Sequence, residues 1–118
     1  MTHIRSDEME RCIAECEECR DVCVRAIAYC LDRRGSYAEA FHITKLLDCI
    51  DMCTACVNLL LRDSPAHRYT CEACAEICEI CAESCAAFPD DEAMRACADA
   101  CMRCAAACRD MVRMAVRM

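Results

Sequence analysis

Glycine occurs once in these 118 residues, proline twice, and tryptophan not at all. So little turn chemistry, with only three Tyr and two Phe, disfavours sheets and hairpins. No stretch approaches the roughly 18 uninterrupted apolar residues of a membrane span. Residues 1–11, MTHIRSDEMER, lack the apolar run of about 7–15 residues that an export signal needs. The expected location is therefore cytoplasmic, where thiols stay reduced. Positive charge is also short: a formal net charge of −7 argues against nucleic-acid binding, which calls for a basic face. There is no glycine-rich phosphate loop and no convincing Ser/His/Asp set. An enzyme is not expected.

Cysteine is what the chain has. Seventeen of 118 residues exceed the level, about 8–10%, that marks small disulfide scaffolds. Such scaffolds are rich in Gly, Pro and loops, whereas this chain is rich in Ala, Glu, Arg, Met and Leu, which favour helices. The odd count would also leave one thiol unpaired. Cys12, Cys16, Cys19, Cys23 and Cys30 form one run, and Cys49, Cys53 and Cys56 a second. Cys71, Cys74, Cys78, Cys81 and Cys85 form a third, and Cys97, Cys101, Cys104 and Cys108 a fourth. Steps of three and four keep side chains on one face of a helix with about 3.6 residues per turn. Each run is thus a stripe of sulfur.

Four stripes and three breaks predict an all-α, antiparallel up-down-up-down four-helix bundle with a cysteine-lined core, one domain over 1–118. The expected helices are about 6–34, 36–62, 64–88 and 90–116. Ser6 is the expected cap of the first, with Asp7, Glu8 and Glu10 near its positive end. Gly35 suits the left-handed residue that ends it. Ser36 and Glu39 read as a capping box for the second helix. Ser64 with Pro65 opens the third, and Asp90 caps the fourth. Ile13, Ile27, Leu47, Ile50, Leu59, Ile77 and Ile80 are expected to flank and support the sulfur face.

Counting from the turns assigns facing positions. One level holds Cys16, Cys53, Cys74 and Cys104; the next Cys19, Cys49, Cys78 and Cys101. Another holds Cys12, Cys56, Cys71 and Cys108, and a fourth Cys23, Cys81 and Cys97 with Leu46. Cys30, His42, Cys85 and Met94 fall at one mouth. His67, Met9, Met111 and Met114 approach the opposite end, and His3 precedes the first helix. Glu15, Glu18, Asp21, Glu72, Glu76, Glu79 and Asp99 should face water.

A core of thiols buries less apolar area than one of Leu and Ile, so packing alone is a poor account of it. Ideal helix geometry presents disulfides three or four positions apart poorly, and cross-helix pairs, though open to the chain, would be an odd way for a cytosolic core to gain stability. Thiolate-only sites select Cu(I), Zn(II) or iron–sulfur clusters. Zinc needs closed tetrahedra of four ligands, and clusters prefer loops whose N–H groups reach the sulfurs. Cu(I) accepts two or three thiolates and allows them to bridge. One Cu(I) per thiolate also leaves a near-neutral core, where one zinc per four thiolates leaves buried negative charge. The pattern points to multiple Cu(I) ions, about one per cysteine. A zinc or cadmium thiolate buffer and a thiol or iron–sulfur redox protein are the alternatives.

The segments CIAECEECRDVC (12–23), CIDMCTAC (49–56), CEACAEICEICAESC (71–85) and CADACMRCAAAC (97–108) closely resemble the bacterial four-helix-bundle copper storage proteins. The resemblance spans about residues 6–116. It implies Cu(I) storage on thiolates, carried over onto all seventeen cysteines, in the family's cytosolic branch. It also implies a homotetramer, with copper possibly delivered by a chaperone.

Overall fold

The computed structural model describes residues 6–117, with side chains described to residue 114. His3 lies outside the described residues. Four helices follow one another: α1 (Asp7–Arg33), α2 (Ala40–Leu61), α3 (His67–Ala86) and α4 (Glu92–Arg117). At 1.5 Å per residue, the 27 residues of α1 make a rod about 40 Å long. Short connections reverse direction each time, and each helix packs on two neighbours in the order α1–α2–α3–α4–α1. Among the described residues the backbones of diagonal helices stay apart, and they meet only through the side chains that fill the central axis, as Cys53 of α2 meets Cys104 of α4. No helix among the described residues is long and apolar enough to cross a membrane.

Local chemistry sets each boundary. Ser6 caps α1, its Oγ accepting from the Met9 N–H at 3.1 Å, and acidic residues occupy the first turn. At the other end Arg34 and Gly35 both take positive φ, 62° and 59°, so the left-handed exit is shared between them. The capping box expected at Ser36 and Glu39 does not form. Gly35–Ala38 is instead a 3-10 turn, Glu39 is extended, and α2 starts after it without a side-chain cap. The shift is explained by Tyr37, whose ring stacks on Phe88 at 4.1 Å and holds the segment in a tighter turn.

α2 ends in a Schellman arrangement: Ser64 N–H donates to Leu59 C=O, Asp63 N–H to Leu60 C=O, and Asp63 has φ 53°. Ser64 does not cap α3 directly. Its Oγ accepts from Ala66 N–H in a Pro65–Ala66 turn, and α3 begins at His67. The cap of α4 is Asp91, not Asp90: its Oδ1 accepts from Met94 N–H at 3.0 Å. Asp91 wins because its Oδ2 also accepts from the hydroxyls of Tyr29 (2.5 Å) and Tyr37 (2.9 Å).

All seventeen cysteines are fully buried, and they form the core with Leu46, Leu60, Met94, Met111, Ile13 and several alanines. Ile27, Ile50 and Ile77 pack against that core, but Leu47 and Ile80 are exposed, since a narrow thiol core leaves no room for a wide apolar stripe. None of the seven expected outward carboxylates is buried. Ion pairs tie α4 to its neighbours: Arg11 with Asp110 (2.9 Å) and Arg109 with Glu79 (2.7 Å).

The Asp91 carboxyl is held down at about 2, first by the Tyr29 hydroxyl, against 3.8 ordinarily. A lowered carboxyl pKa contributes stability that is complete above the unfolded value and lost as pH falls through the folded one. The melting temperature of the Asp91→Asn variant should therefore lie below wild type at neutral pH. The gap should narrow between about pH 4 and pH 2, as thermal denaturation followed by circular dichroism would show; a gap independent of pH would contradict the assignment.

Candidate metal centre

Each sulfur reaches the axis because its helix carries it every three or four residues, and the four helices bring their stripes into register. The resulting contacts run as a chain. Cys12 and Cys108 lie 3.7 Å apart, Cys108 and Cys16 3.8 Å, and Cys16 and Cys104 3.5 Å. Cys104 continues to Cys53 (3.8 Å), Cys53 to Cys78 (4.0 Å), and Cys78 to Cys49 (3.6 Å). Cys49 meets Cys19 (3.6 Å) and Cys101 (4.0 Å), and Cys23 meets Cys101 (3.9 Å) and Cys97 (3.8 Å). Pairs within two of the expected levels touch, such as Cys16 with Cys104 and Cys19 with Cys49, but the close sets regroup them: Cys53 and Cys104 sit with Cys19 and Cys78, and Cys16 and Cys74 sit with Cys56 and Cys108. Cys56 departs from its expected level: it groups with Cys16, Cys74 and Cys108, one step nearer the middle than Cys12 and Cys71.

Four sets bring their sulfurs within 4.8 Å of one another: Cys16, Cys56, Cys74 and Cys108; Cys19, Cys53, Cys78 and Cys104; Cys19, Cys23, Cys49 and Cys101; and Cys12, Cys71 and Cys108. With a metal–sulfur bond of about 2.3 Å, sulfurs lie about 3.8 Å apart around a tetrahedral ion and about 4.0 Å apart around a trigonal one. The observed 3.5–4.0 Å contacts fit either geometry, so spacing alone does not choose the metal. Cys19 and Cys108 each belong to two sets, as bridging thiolates would.

All seventeen are free thiols. Neighbouring sulfurs share protons, which pushes Cys16 up through its contact with Cys104 and Cys49 down through its contact with Cys101. Cys30, farther from other sulfurs, is pushed up to about 11, chiefly by burial.

The axis changes character at the end where the α1–α2 connection lies. Cys30, Cys81, Cys85 and Cys97 fall outside the four close sets. Cys30 Sγ instead lies 3.4 Å from His42 Nε2 and 3.8 Å from Met94 Sδ. His42, read from sequence as a residue at the mouth, is only 3% exposed, and burial lowers its pKa, favouring the neutral ring. Its Nδ1 lies 2.6 Å from Ser84 Oγ. Sequence reasoning missed Ser84; the available signal was a small polar residue three positions after Cys81, on the edge of the sulfur face. At the opposite end Met111 is buried and Met9 and Met114 pack on the core, whereas His67 is partly exposed and turns its Nδ1 to Ser64 C=O at 2.8 Å.

Residues 5–113 match the family described as copper storage protein. This chain belongs to that family. The Cu(I)-bound copper storage protein BsCsp3 is 33% identical, with a TM-score of 0.84 over 90% of this chain and 99% of that one. The copper storage protein Ccsp from Streptomyces lividans, loaded with 10 copper equivalents, is 34% identical, with a TM-score of 0.83 over 91% of this chain and 85% of that one. A structure of a cytosolic copper storage protein from Streptomyces lividans, with five coppers, is 34% identical, with a TM-score of 0.83 over 91% and 93%. An uncharacterized cysteine-rich protein of Bacillus subtilis, YhjQ, is 34% identical over 68 residues, and the match spans 58% of this chain and 63% of that protein. The family thus accounts for the bundle and its sulfur axis together.

Thiols with no exposed surface react only when the bundle opens. In the reduced, metal-free protein, an alkylating reagent at neutral pH should label the seventeen thiols slowly in buffer and all of them rapidly in denaturant, counted by intact mass. Rapid labelling of many cysteines in buffer would contradict this degree of enclosure.

Proposed function

We propose that the chain is a store for Cu(I), in which all seventeen cysteines serve as thiolate ligands and the whole bundle acts as one domain without catalysis. The observation that carries the reading is the chain of buried sulfur contacts from Cys12 to Cys97 along one axis, in which Cys19 and Cys108 each belong to two close sets. Each Cu(I) that replaces a thiol proton leaves the axis neutral, so the bundle can fill without accumulating buried charge. Filling then continues until ions and thiolates are about equal in number.

The Cys30–His42–Met94 end is the exchange mouth in this reading. Cys30 supplies one thiolate, and His42 and Met94 add neutral donors, an imidazole and a soft thioether, that leave the charge of one Cu(I) balanced. A cytoplasmic location is supported by the description of the Streptomyces lividans relative as cytosolic. Delivery by a copper chaperone and assembly into a homotetramer complete the proposal. A zinc buffer with the same residues would place one divalent ion per four thiolates and leave negative charge buried along the axis, which disfavours it.

The test is anaerobic titration of reduced, metal-free protein with Cu(I) against a chromophoric competitor. We expect the competitor to stay metal-free until about seventeen equivalents, with ultraviolet-excited luminescence and proton release tracking the addition. Cys→Ala variants should lose capacity in graded steps. Saturation at four or fewer ions would overturn storage and favour zinc sites or redox chemistry.

A further inference from the structure

Aromatic side chains are scarce here, yet Tyr29, Tyr37 and Phe88 gather at one end of the bundle. Tyr37 and Phe88 stack with centroids 4.1 Å apart, and Tyr29 meets Tyr37 edge-on at 6.2 Å. Phe88 lies in turn 5.2 Å from the His42 ring. Beneath the stack Cys30 and Met94 are fully buried. Outside it opens a cleft of about 510 Å³ lined by Tyr29, Arg33, Tyr37, Phe88 and the loop from Pro89 to Glu92. An ion moving between that cleft and the Cys30 sulfur therefore has to displace these rings.

One residue holds the arrangement shut. Asp91 Oδ2 accepts from both tyrosine hydroxyls, while its Oδ1 caps Met94, whose own sulfur touches Cys30. The segment that carries Tyr37 is bounded by the positive-φ pair Arg34–Gly35 and by extended Glu39, which makes it a short piece between two breaks in helical backbone. The Arg33 guanidinium lies 4.8 Å from the Tyr37 ring and covers its outer side. Partly exposed contacts of this kind open locally at far smaller free energy than the packed helices.

We propose that Tyr37 and Phe88, latched by Asp91, form a gate over the Cys30–His42–Met94 end that sets how fast Cu(I) enters and leaves the bundle. The inference rests on the storage reading and on that end being the mouth, and it separates two properties. The sulfurs determine how much copper is held, and the gate determines the rate of exchange.

The test uses the full chain, loaded anaerobically with Cu(I), and follows transfer to an excess of a chromophoric Cu(I) chelator by stopped flow. Tyr37→Phe removes one hydroxyl from the latch, and Phe88→Ala removes the ring next to His42. Leu60→Ala serves as a control, a core truncation in the last turn of α2, the helix whose first turn carries His42. Circular dichroism checks that each variant folds. We expect transfer to accelerate roughly threefold in Tyr37→Phe and roughly tenfold in Phe88→Ala, with capacity unchanged and Leu60→Ala within about twofold of wild type. Selective acceleration in either cap variant supports the gate. Rates within about twofold of wild type in both cap variants, or equal acceleration in Leu60→Ala, would overturn it. A wild-type capacity of four or fewer ions would instead remove the storage reading, and the gate with it, before any rate is compared.

Discussion

Electrical neutrality along the axis is the constraint from which the rest of the molecule follows. Seventeen buried thiols are tolerable as small neutral hydrophobes, and seventeen buried thiolates without counter-ions are not. The axis must therefore hold a proton or a monovalent cation for nearly every sulfur. The 3.5–4.0 Å contacts serve both conditions, since they allow S–H to S sharing in the metal-free chain and the sulfur spacing of shared metal sites when loaded. Divalent ions at four thiolates each would satisfy geometry while leaving negative charge inside.

A sulfur core moves the work of folding outward. Cysteine buries less apolar surface than leucine, so Leu46, Leu60, Met94 and Met111 supply the bulk that the axis has, and Ile13, Ile27, Ile50 and Ile77 flank it. The helix ends are correspondingly well finished, with Ser6 and Asp91 as side-chain caps and a Schellman turn after α2. Inter-helical pairs such as Arg109 with Glu79 are partly exposed and add modestly. Ligands that bind only the folded bundle then add stability by mass action, so occupancy and rigidity rise together.

Periodicity made the architecture legible. Steps of three and four between cysteines are enough to place each sulfur on one face, and short breaks at Gly35, Pro65 and Pro89 dictate antiparallel neighbours. Pairs within two of the levels counted from those turns appear as direct contacts, although the close sets of four are composed differently. What escaped the sequence depends on contacts between the turns. The choice of Asp91 over Asp90 is made by Tyr29, sixty-two residues away, and the 3-10 turn at Gly35–Ala38 by Tyr37 meeting Phe88. Cap rules see only the residues a few places along the chain. Cys56 illustrates the same limit inside the core, since the level it joins depends on the stagger of α2 against α1 and α3.

The two kinds of donor on the axis divide along that electrical line. In the middle, where Cys19 and Cys108 are shared between sets, every sulfur sees several others and each added positive charge is balanced by many neighbours. At the Cys30 end sulfurs thin out, and the side chains that adjoin Cys30, an imidazole and a thioether, carry no charge in their neutral forms. In the storage reading one thiolate there would balance one Cu(I), and the ion would be held by fewer anions than an ion in the interior. In that reading an ion at this end would be held less tightly than one deeper in, and the difference would favour movement inward. Ser84 contributes by fixing Nδ1 of His42: if its oxygen accepts the Nδ1 proton, the Nε2 lone pair faces Cys30. A protonated imidazole would instead add a positive charge where a cation must pass, and the burial that keeps the ring neutral is therefore part of the same electrical design.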